Sequence, residues 1–259
     1  MTLSERRESI IEMFHITNFV TITDIVNRFG ISNETARRDL DYLQDQELIQ
    51  RVYGGAILRQ YYGQSMTPRA PRNLSAIGKA AADLVKPGES IFLGNGSTTL
   101  QVAKHLRSRR NITVITGSLA NINMLADSDV NLIVLGGHLS HNELDICGTL
   151  ATDCISKFYC NKAIFGCGGI TGDFDIMDYN SNNLPLHSQF VRHSAQHILV
   201  TASSKFDTPA FSMGCSIQDI DVIITDTQLP AEYARRIRSL GIELITVELD
   251  RIGGTLLLF

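Results

Sequence analysis

Apolar runs that alternate with helical stretches after residue 74 constrain the fold of this chain more than any other sequence feature. Near-continuous apolar strands separated by helices are typical of a parallel sheet that is covered on both faces. Helical spacing is visible in AIGKAAADLV and TLQVAKHL, which adjoin such runs. We therefore predict an α/β domain with a mainly parallel sheet over residues 74–259. The predicted strands are SIFLG, ITVIT, NLIVLGG, KAIFGCGG, HILVT, DVIITD and ELITVEL.

The first 57 residues differ from the rest in composition. They contain six Arg, no Lys and nine acidic residues, so the segment is not basic overall. Nucleic-acid binding must therefore be argued from where the arginines lie rather than from net charge. Residues 58–73 contain two prolines, one glycine and no acidic residue, and they show no apolar periodicity, which is typical of a linker. The predicted organisation is a domain at 1–57, a linker at 58–73 and a domain at 74–259.

Composition excludes several classes of protein. With 44% apolar residues over 259 positions, the chain is neither disordered nor collagen-like. No apolar run approaches the roughly 20 residues that span a bilayer, and the start MTLSERRESII is charged where a signal peptide is apolar. We expect a cytoplasmic protein without a membrane partner. The five cysteines form no C-x-x-C pair and the histidine pairs have no third ligand nearby, so we expect no metal and no cofactor.

A helix-turn-helix is predicted within the first domain. Thr21 starts a helix, with Asp24 three residues on as a variant of the capping box. This helix ends at Gly30, which tolerates the left-handed conformation of a helix end. Ser32 then caps a third helix that runs to about Gln44. Two helices joined by a short glycine turn form the DNA-binding unit of many regulators.

The third helix has a polar start and an apolar face. Ala36, Leu40 and Leu43 face the core, which leaves the polar and arginine side chains exposed. The start of such a helix enters the major groove, where Arg contacts guanine and Asn contacts adenine, and the Gly54-Gly55 hairpin that follows is typical of a wing on the phosphates. An alternative for the two arginines is ion pairing with Asp41. The predicted DNA-binding residues are Ser32, Asn33, Thr35, Arg37, Arg38, Arg51 and Tyr53.

A glycine-rich turn after the first predicted strand of the second domain indicates an anion site. It leads into a helix whose first amides are unpaired and whose dipole favours negative charge. The alternative is that Ser97 or Thr98 simply caps this helix. Ligands of open α/β sheets bind at the carboxyl ends of strands, so later strand ends add candidates. The candidate ligand-binding residues are Gly96, Ser97, Thr98, Thr99, Thr116, Ser118, Gly136, Gly137 and Lys205.

The stretch from Ile22 to Ala56 resembles the N-terminal signature of the DeoR family of bacterial transcription regulators. The family pattern V/I-S-x-x-T-x-R-R-D-L is present from Ile31 to Leu40, and the wing R-V-x-G-G-A runs from Arg51 to Ala56. The C-terminal half resembles the family's effector domain, which is related in fold to ribose-5-phosphate isomerase. The resemblance implies a repressor of a carbohydrate operon, with operator DNA as one partner and a phosphorylated sugar as the effector.

Four positions depart from the family pattern. Gly94 replaces the aspartate that usually opens the phosphate loop, and Gly117 replaces the asparagine of the usual T-N-S. Ala202 replaces the aspartate of D-x-S-K, and His187 stands where a lysine is expected. The predicted phosphate contacts are kept, whereas the positions that bind sugar hydroxyls are changed.

Two other functions compete with a ligand-controlled repressor. One is a sugar-phosphate isomerase with a DNA-binding head, which needs a positioned carboxylate base. We expect no such carboxylate at the changed positions, and we assign Asp173, Asp175 and Asp178 to a solvated loop. The other is a DNA-binding protein without any ligand.

A homodimer or homotetramer is also expected. One winged helix-turn-helix contacts too few base pairs for operator specificity, and a two-fold protein matches two half-sites. The apolar tail Leu256–Phe259 either contributes to a subunit contact or forms a last strand.

Overall fold

The computed structural model describes residues 3–16, 19–46, 48–52, 55–58, 72–140, 143–181 and 183–248. The chain divides into two compact units, residues 1–66 and 67–259, each with its own hydrophobic core. Three sequence predictions lie outside the described residues: the DNA contact of Tyr53, the centre of the linker and the role of the tail at Leu256–Phe259.

The described part of the N-terminal unit contains three helices and three short strands. Its helices and hairpin pack around Ile10, Phe14, Ile25, Leu40 and Ile49, all of which are fully buried. In chain order the elements are α1 Leu3–Ile16, β1 Phe19–Thr21, α2 Ile22–Phe29, α3 Asn33–Asp45, β2 Ile49–Val52 and β3 Gly55–Leu58.

The turn between α2 and α3 follows the capping residues of the sequence. The Thr21 hydroxyl accepts from the Asp24 amide at 2.9 Å, and the Asp24 carboxylate accepts from the Thr21 amide at 2.8 Å. Gly30 ends α2 with φ +63°, and the Ser32 hydroxyl accepts from the Thr35 amide at 3.1 Å. The predicted capping box, glycine stop and second cap are confirmed.

The hairpin of β2 and β3 is extended by a strand that the sequence analysis missed. β2 and β3 pair antiparallel with Val52 opposite Gly55, and β1 pairs with the other side of β3. β3 ends at Leu58 and α4 begins at Arg72. The two ends of the segment predicted as a linker, residues 58–73, therefore belong to a strand and a helix.

A buried carboxylate joins α1 to α3, the helix that is predicted to contact DNA and is called the recognition helix below. The Asp39 side chain is 2% exposed and accepts hydrogen bonds from Arg6 Nε at 2.7 Å and Arg7 Nε at 2.9 Å. The Arg7 guanidinium also lies 3.6 Å from the ring centroid of Tyr42. Asp39 therefore fixes the position of α3 against α1.

The C-terminal unit is an α/β domain whose described residues form three sheets. In chain order its elements are α4 Arg72–Asp83, β4 Ser90–Leu93, α5 Ser97–Leu106, β5 Thr113–Thr116, α6 Leu119–Leu125, β6 Asn131–Val134, β7 His138–Ser140, β8 Asp145–Cys147, α7 Thr149–Ile155, β9 Lys162–Phe165, β10 Gly169–Ile170, β11 Asp175–Asp178, α8 Asn183–Arg192, β12 His197–Val200, β13 Ser212–Ser216, β14 Val222–Asp226, α9 Ala231–Ser239 and β15 Glu243–Val247. No helix of the described ranges is long and apolar enough to cross a membrane.

All seven predicted strands belong to one parallel sheet, in the order β15-β14-β12-β9-β4-β5-β6. Alternate residues of each strand face two separate cores: Ile91 and Leu93 pack with α4 and α5, whereas Phe92 packs with α7 and α8. The prediction of a parallel sheet with both faces covered is confirmed.

The chain reverses its direction of growth across this sheet between β4 and β9. The strands β4, β5 and β6 extend one way, and β9, β12, β14 and β15 extend the other. In open α/β sheets, such a switch point leaves a crevice beyond the carboxyl ends of the two central strands, where ligands bind.

Two small antiparallel sheets lie outside the predicted strands. β7 pairs with β8, and β11 pairs with β10 and β13. Asp175 and Asp178 are the two ends of β11, so their assignment to a solvated loop is wrong. Their strand is short and polar, which hides it from an analysis based on apolar runs.

We predict that Asp39→Ala destabilises the N-terminal unit by about 2–4 kcal/mol, because it leaves two partly buried guanidinium groups without their counter-charge. The matched control is Glu34→Ala, which removes an exposed ion pair and is expected to cost less than about 0.5 kcal/mol. Urea unfolding of the full chain with hydrogen exchange at α1 and α3 measures both. Equal stability of the two variants would contradict this role of Asp39.

Candidate DNA-binding surface and ligand site

The recognition helix α3 has one buried and one exposed face. Asn33, Arg37 and Arg38 are exposed on the outer face near its start. The inner face is buried through Ala36, Asp39, Leu40 and Leu43. The described part of the chain offers no partner to the Arg37 side chain, so this guanidinium is available to a base edge or a phosphate.

The ion pairs around α3 are not those that the sequence suggested as an alternative to DNA contacts. Asp41 binds Arg51 of the wing strand, whereas Arg38 Nε lies 3.3 Å from the Glu34 carboxylate. The proposed pairing of Arg37 and Arg38 with Asp41 is therefore wrong. The Arg38 side chain is 76% exposed, and such an exposed pair within one helix is worth only about 0.3–0.5 kcal/mol. Glu34 is thus a weak competitor for DNA.

Arg51 connects β2 to α3. Its Nη1 donates to the Asp41 carboxylate and, at 3.3 Å, to the carbonyl of Arg37, while its backbone amide donates to Gln44 Oε1 at 2.7 Å. These contacts hold the wing strand against the recognition helix. The predicted phosphate contact of Arg51 stays a prediction, and in this structure its side chain positions the wing.

The predicted anion site lies at the start of α5, directly after β4 at the switch point. Gly96 is the N-cap with φ +115°, and no side chain caps the helix. The buried Thr99 hydroxyl donates to the Gly96 carbonyl at 2.9 Å. The alternative in which Ser97 or Thr98 caps α5 is therefore wrong. The first amides of α5 face outward with half-buried hydroxyls beside them, which suits an anion.

The second predicted loop adjoins this anion site from the neighbouring strand β5. The Asn121 side chain donates to the Gly94 carbonyl at 2.8 Å and to Thr116 Oγ1 at 3.4 Å, so it joins the loops after β4 and β5. Thr116 also accepts from the Ser118 amide at 3.2 Å, and Ser118 caps α6. Because Thr116 and Ser118 are buried in this network, they shape the floor of the site.

Close packing around Gly94 and Gly117 explains why these two positions differ from the family pattern. A Cβ at Gly94 would lie 2.9 Å from the Cβ of Phe165, and a Cβ at Gly117 would lie 2.9 Å from the carbonyl oxygen of Ile146. Neither position has room for the side chain that the family usually carries. The loops after β4 and β5 therefore lie closer to β9 and β8 than a larger residue would allow.

The remaining predicted effector residues lie farther along the sheet edge. Gly136 and Gly137 follow β6, and Gly137 packs against β8, where a Cβ would meet the Cys147 carbonyl at 2.7 Å. Lys205 follows β12, and its Nζ lies 3.4 Å from the Tyr179 hydroxyl. No contact among the described residues joins Lys205 to the start of α5, so its role at a phosphate stays a prediction.

The structure adds carboxylates that the sequence analysis missed. Asn95 Nδ2 donates to Glu143 at 3.3 Å and lies 3.5 Å from Asn183 Oδ1, while Asn183 Nδ2 donates to Asp178 at 3.3 Å. Asp145 lies buried in β8 next to the loop after β5. The changed positions themselves carry no carboxylate, but Glu143 and Asp145 reach the loops beside them from segments that carry no recognisable motif.

These groups have shifted proton affinities. Burial and the charge of Glu143 raise the pKa of Asp145 to about 7, and burial together with Asp178 raises the pKa of Glu143 to about 7. Burial lowers the pKa of His187, which stacks on Phe165 with ring centroids 4.9 Å apart.

The N-terminal unit is a winged helix-turn-helix with exposed arginines on α3, and one chain joins it to an α/β domain with a candidate ligand site at its switch point. This combination defines a class of DNA-binding transcription regulators. The profile of the DeoR-like helix-turn-helix domain matches residues 6–60, and the profile of the DeoR C terminal sensor domain matches residues 71–227. The chain belongs to the DeoR family.

Several relatives are similar over nearly their full length. A putative aga operon transcriptional repressor of Escherichia coli O157:H7 is 29% identical over 94% of both chains. A lactose phosphotransferase system repressor of Lactococcus lactis is 31% identical over 90% of this chain and 94% of its own. A glycerol-3-phosphate regulon repressor of Escherichia coli K12 is 29% identical over 89% and 93%, respectively.

Among solved structures, ribose 5-phosphate isomerase A of Methanocaldococcus jannaschii is similar with a TM-score of 0.39. The identity is 16%, over 51% of this chain and 53% of the isomerase. The fold is defined instead by the order of the strands in the main sheet and by the family match.

Arg38→Ala is expected to lower operator affinity by about 1–3 kcal/mol, because an arginine at the start of a recognition helix contacts base edges. The control is Arg110→Ala, which removes the same charge from an 83% exposed, ion-paired arginine of the other unit. Fluorescence anisotropy with operator and with random DNA separates specific from general binding. If both variants bind both DNAs like the parent, Arg38 serves only the ion pair with Glu34.

Asp145→Asn is expected to stabilise the protein at pH 8 and not at pH 4. The pKa of Asp145 is raised from 3.8 to about 7 in the folded state, so the folded chain binds more protons than the unfolded chain between these values. Its contribution to the free energy of unfolding therefore falls as the pH rises through this range, by on the order of 2–4 kcal/mol. Urea unfolding at both pH values tests this, with the exposed Asp153→Asn as a control. A variant no more stable than the parent at pH 8 would contradict the assignment.

Proposed function

We propose that this chain represses an operon of carbohydrate metabolism and that a phosphorylated sugar modulates its affinity for the operator. The observation that carries the proposal is the uncapped start of α5 at the switch point of the sheet. Backbone amides and the hydroxyls of Ser97 and Thr98 bind a phosphate there. Two of the relatives are named for the repression of a lactose phosphotransferase system and of a glycerol-3-phosphate regulon, which supports a phosphorylated carbohydrate metabolite as the effector.

The DNA half of the proposal rests on α3 and the wing. Ser32, Asn33, Thr35, Arg37 and Arg38 lie at the start of α3 or on its outer face. In this proposal they contact base edges and phosphates, while Arg51 holds the wing in place. Because it binds operator DNA, the protein is proposed to be cytoplasmic. The two half-sites of an operator favour a homodimer or homotetramer. Sedimentation of the full chain measures this state.

A ligand changes operator affinity only if it binds the DNA-competent state and the incompetent state differently. In our proposal, phosphate binding at Gly96–Thr99 orders the loops after β4 and β5, which Asn121 already joins. This ordering is the differential interaction that shifts the population of states.

A sugar-phosphate isomerase remains the second candidate, because the structure supplies the carboxylates that such a reaction needs. Asp145 and Glu143 lie beside a phosphate site, and a carboxylate with a pKa near 7 is suited to act as a general base. We propose that the chain is nevertheless not an enzyme, because its relatives are repressors over nearly their whole length. Incubation of the full chain with aldose phosphates, followed by detection of ketose phosphates, distinguishes the two.

Thr98→Glu is expected to abolish effector binding and to leave operator binding intact. The new carboxylate fills the start of α5 and repels a phosphate, whereas an acidic residue in the first turn is compatible with the helix. The measurement is the shift in melting temperature on addition of sugar phosphates. The control is Ser108→Glu, just beyond the end of α5 and exposed.

The outcomes distinguish a phosphate site at the start of α5 from a helix start that binds no ligand. A Thr98→Glu variant that responds to ligand like the parent would show that the start of α5 binds no phosphate. A parent that responds to no phosphorylated sugar would favour a DNA-binding protein without an effector.

A further inference from the structure

The centre of the exposed face of α3 carries a carboxylate. At about 100° per residue, Glu34 lies opposite the buried stripe that contains Ala36 and Leu40. Its side chain is 64% exposed, and Arg38, one turn further along the same face, is 76% exposed. When the start of this helix enters a major groove, Glu34 therefore faces base edges rather than the protein.

A carboxylate at this place opposes general binding to DNA. Sequence-independent affinity comes from positive side chains that neutralise phosphates, and a negative charge works against it. Asp41, on the same face but further from the helix start, is held by Arg51 of the wing strand. Among the described residues, Glu34 has no partner from another element, so its charge stays on the outer face. A side chain that weakens general binding at the centre of this face suits a role in sequence specificity.

The neighbouring hydroxyl groups are engaged in the helix start. Ser32 Oγ accepts from the Thr35 amide at 3.1 Å and lies 2.9 Å from Thr35 Oγ1. The two hydroxyls therefore bind each other and the first turn of the helix. Base contacts then depend mainly on Asn33 and on the charged residues of α3.

The two arginines of this face differ in how they are held. Arg38 Nε donates to Glu34 Oε1 at 3.3 Å, whereas the terminal nitrogens of Arg38 and the second oxygen of Glu34 have no hydrogen-bond partner among the described residues. A guanidinium held through Nε presents its two terminal N–H groups as a fork, which matches O6 and N7 of guanine. Arg37 lacks this restraint and suits a phosphate, whose recognition needs charge rather than a fixed angle.

Resting on the operator binding proposed above, we propose that Glu34 is a specificity-determining residue that accepts from the amino group of a cytosine and positions Arg38 on a guanine. In the major groove only cytosine N4 and adenine N6 are donors, and adenine places its N7 acceptor beside the donor. Guanine and thymine present acceptors, which repel a carboxylate. Because water screens the pair of Glu34 and Arg38 less inside the groove, the pair is stronger there than in the free protein.

The test begins with selection of binding sites from a random duplex library by the full chain, which identifies the half-site. Fluorescence anisotropy then measures the effect of each base pair. We expect one position at which replacement of a C·G pair by T·A lowers the affinity of the parent about tenfold or more, because thymine O4 is an acceptor. Glu34→Gln is expected to reduce this loss to less than about threefold and to select adenine there, since glutamine contacts adenine N6 and N7. A purely structural role of Glu34 does not change which base is selected.

Further variants test the positioning of Arg38 and the effect of net charge. The guanine bound by Arg38 is the position at which Arg38→Ala loses its preference, and Glu34→Ala is expected to lower that preference about threefold or more. Arg37→Ala is expected to weaken binding to operator and random DNA by similar factors. Glu12 is an exposed carboxylate of α1, and Glu12→Gln removes the same charge as Glu34→Gln. We expect this control to select the half-site of the parent.

The outcomes separate the role of Glu34 from operator binding itself. If Glu34→Gln selects the half-site of the parent with the same loss at every position, the role of Glu34 is overturned and operator binding stands. The same holds if Glu12→Gln changes the selected base in the same way, since net charge then accounts for the effect. A parent that selects no sequence from the library overturns the proposed regulator together with this assignment.

Discussion

The proposed ligand site depends on two close backbone approaches that only glycine permits. Gly94 lies against Phe165 of β9, and Gly117 lies against Ile146 of β8, each with less than 3 Å for an added Cβ. These approaches bring the loops after β4 and β5 onto the neighbouring strands. The start of α5, the floor formed by Thr116 and the carboxylate of Asp145 thereby come together. A larger residue at either glycine would push its loop away from the neighbouring strand.

The charged residues of the N-terminal unit have two different roles. Asp39 is buried and holds Arg6 and Arg7, and Asp41 holds Arg51 of the wing, so these pairs fix the geometry of the domain. Arg37 and Arg38 are left on the exposed face of α3. The arginines of this unit thus have different roles, which follow from the element and the face that each occupies.

Most of the fold was predictable because it depends on local patterns. Apolar runs identified all seven strands of the main sheet, and Thr21, Gly30 and Ser32 marked the helix ends. The strands β1, β7, β8, β10, β11 and β13 were missed because none of them contains a continuous apolar run of four residues or more. The phosphate loop was visible as a motif, whereas Glu143 and Asp145 reach the site only through the tertiary fold. The pairing of Asp41 with Arg51 was missed for the same reason, since the two residues are ten apart in sequence.

The central claim is that one chain couples a small-molecule site to operator binding. It is tested most directly by operator titrations of the full, unmodified chain with and without a saturating phosphorylated sugar that calorimetry shows to bind. Coupling free energies of about 1–3 kcal/mol are typical of such proteins, so the account predicts a change in operator affinity of about fivefold or more. An operator affinity that stays the same while the sugar phosphate is bound would contradict it.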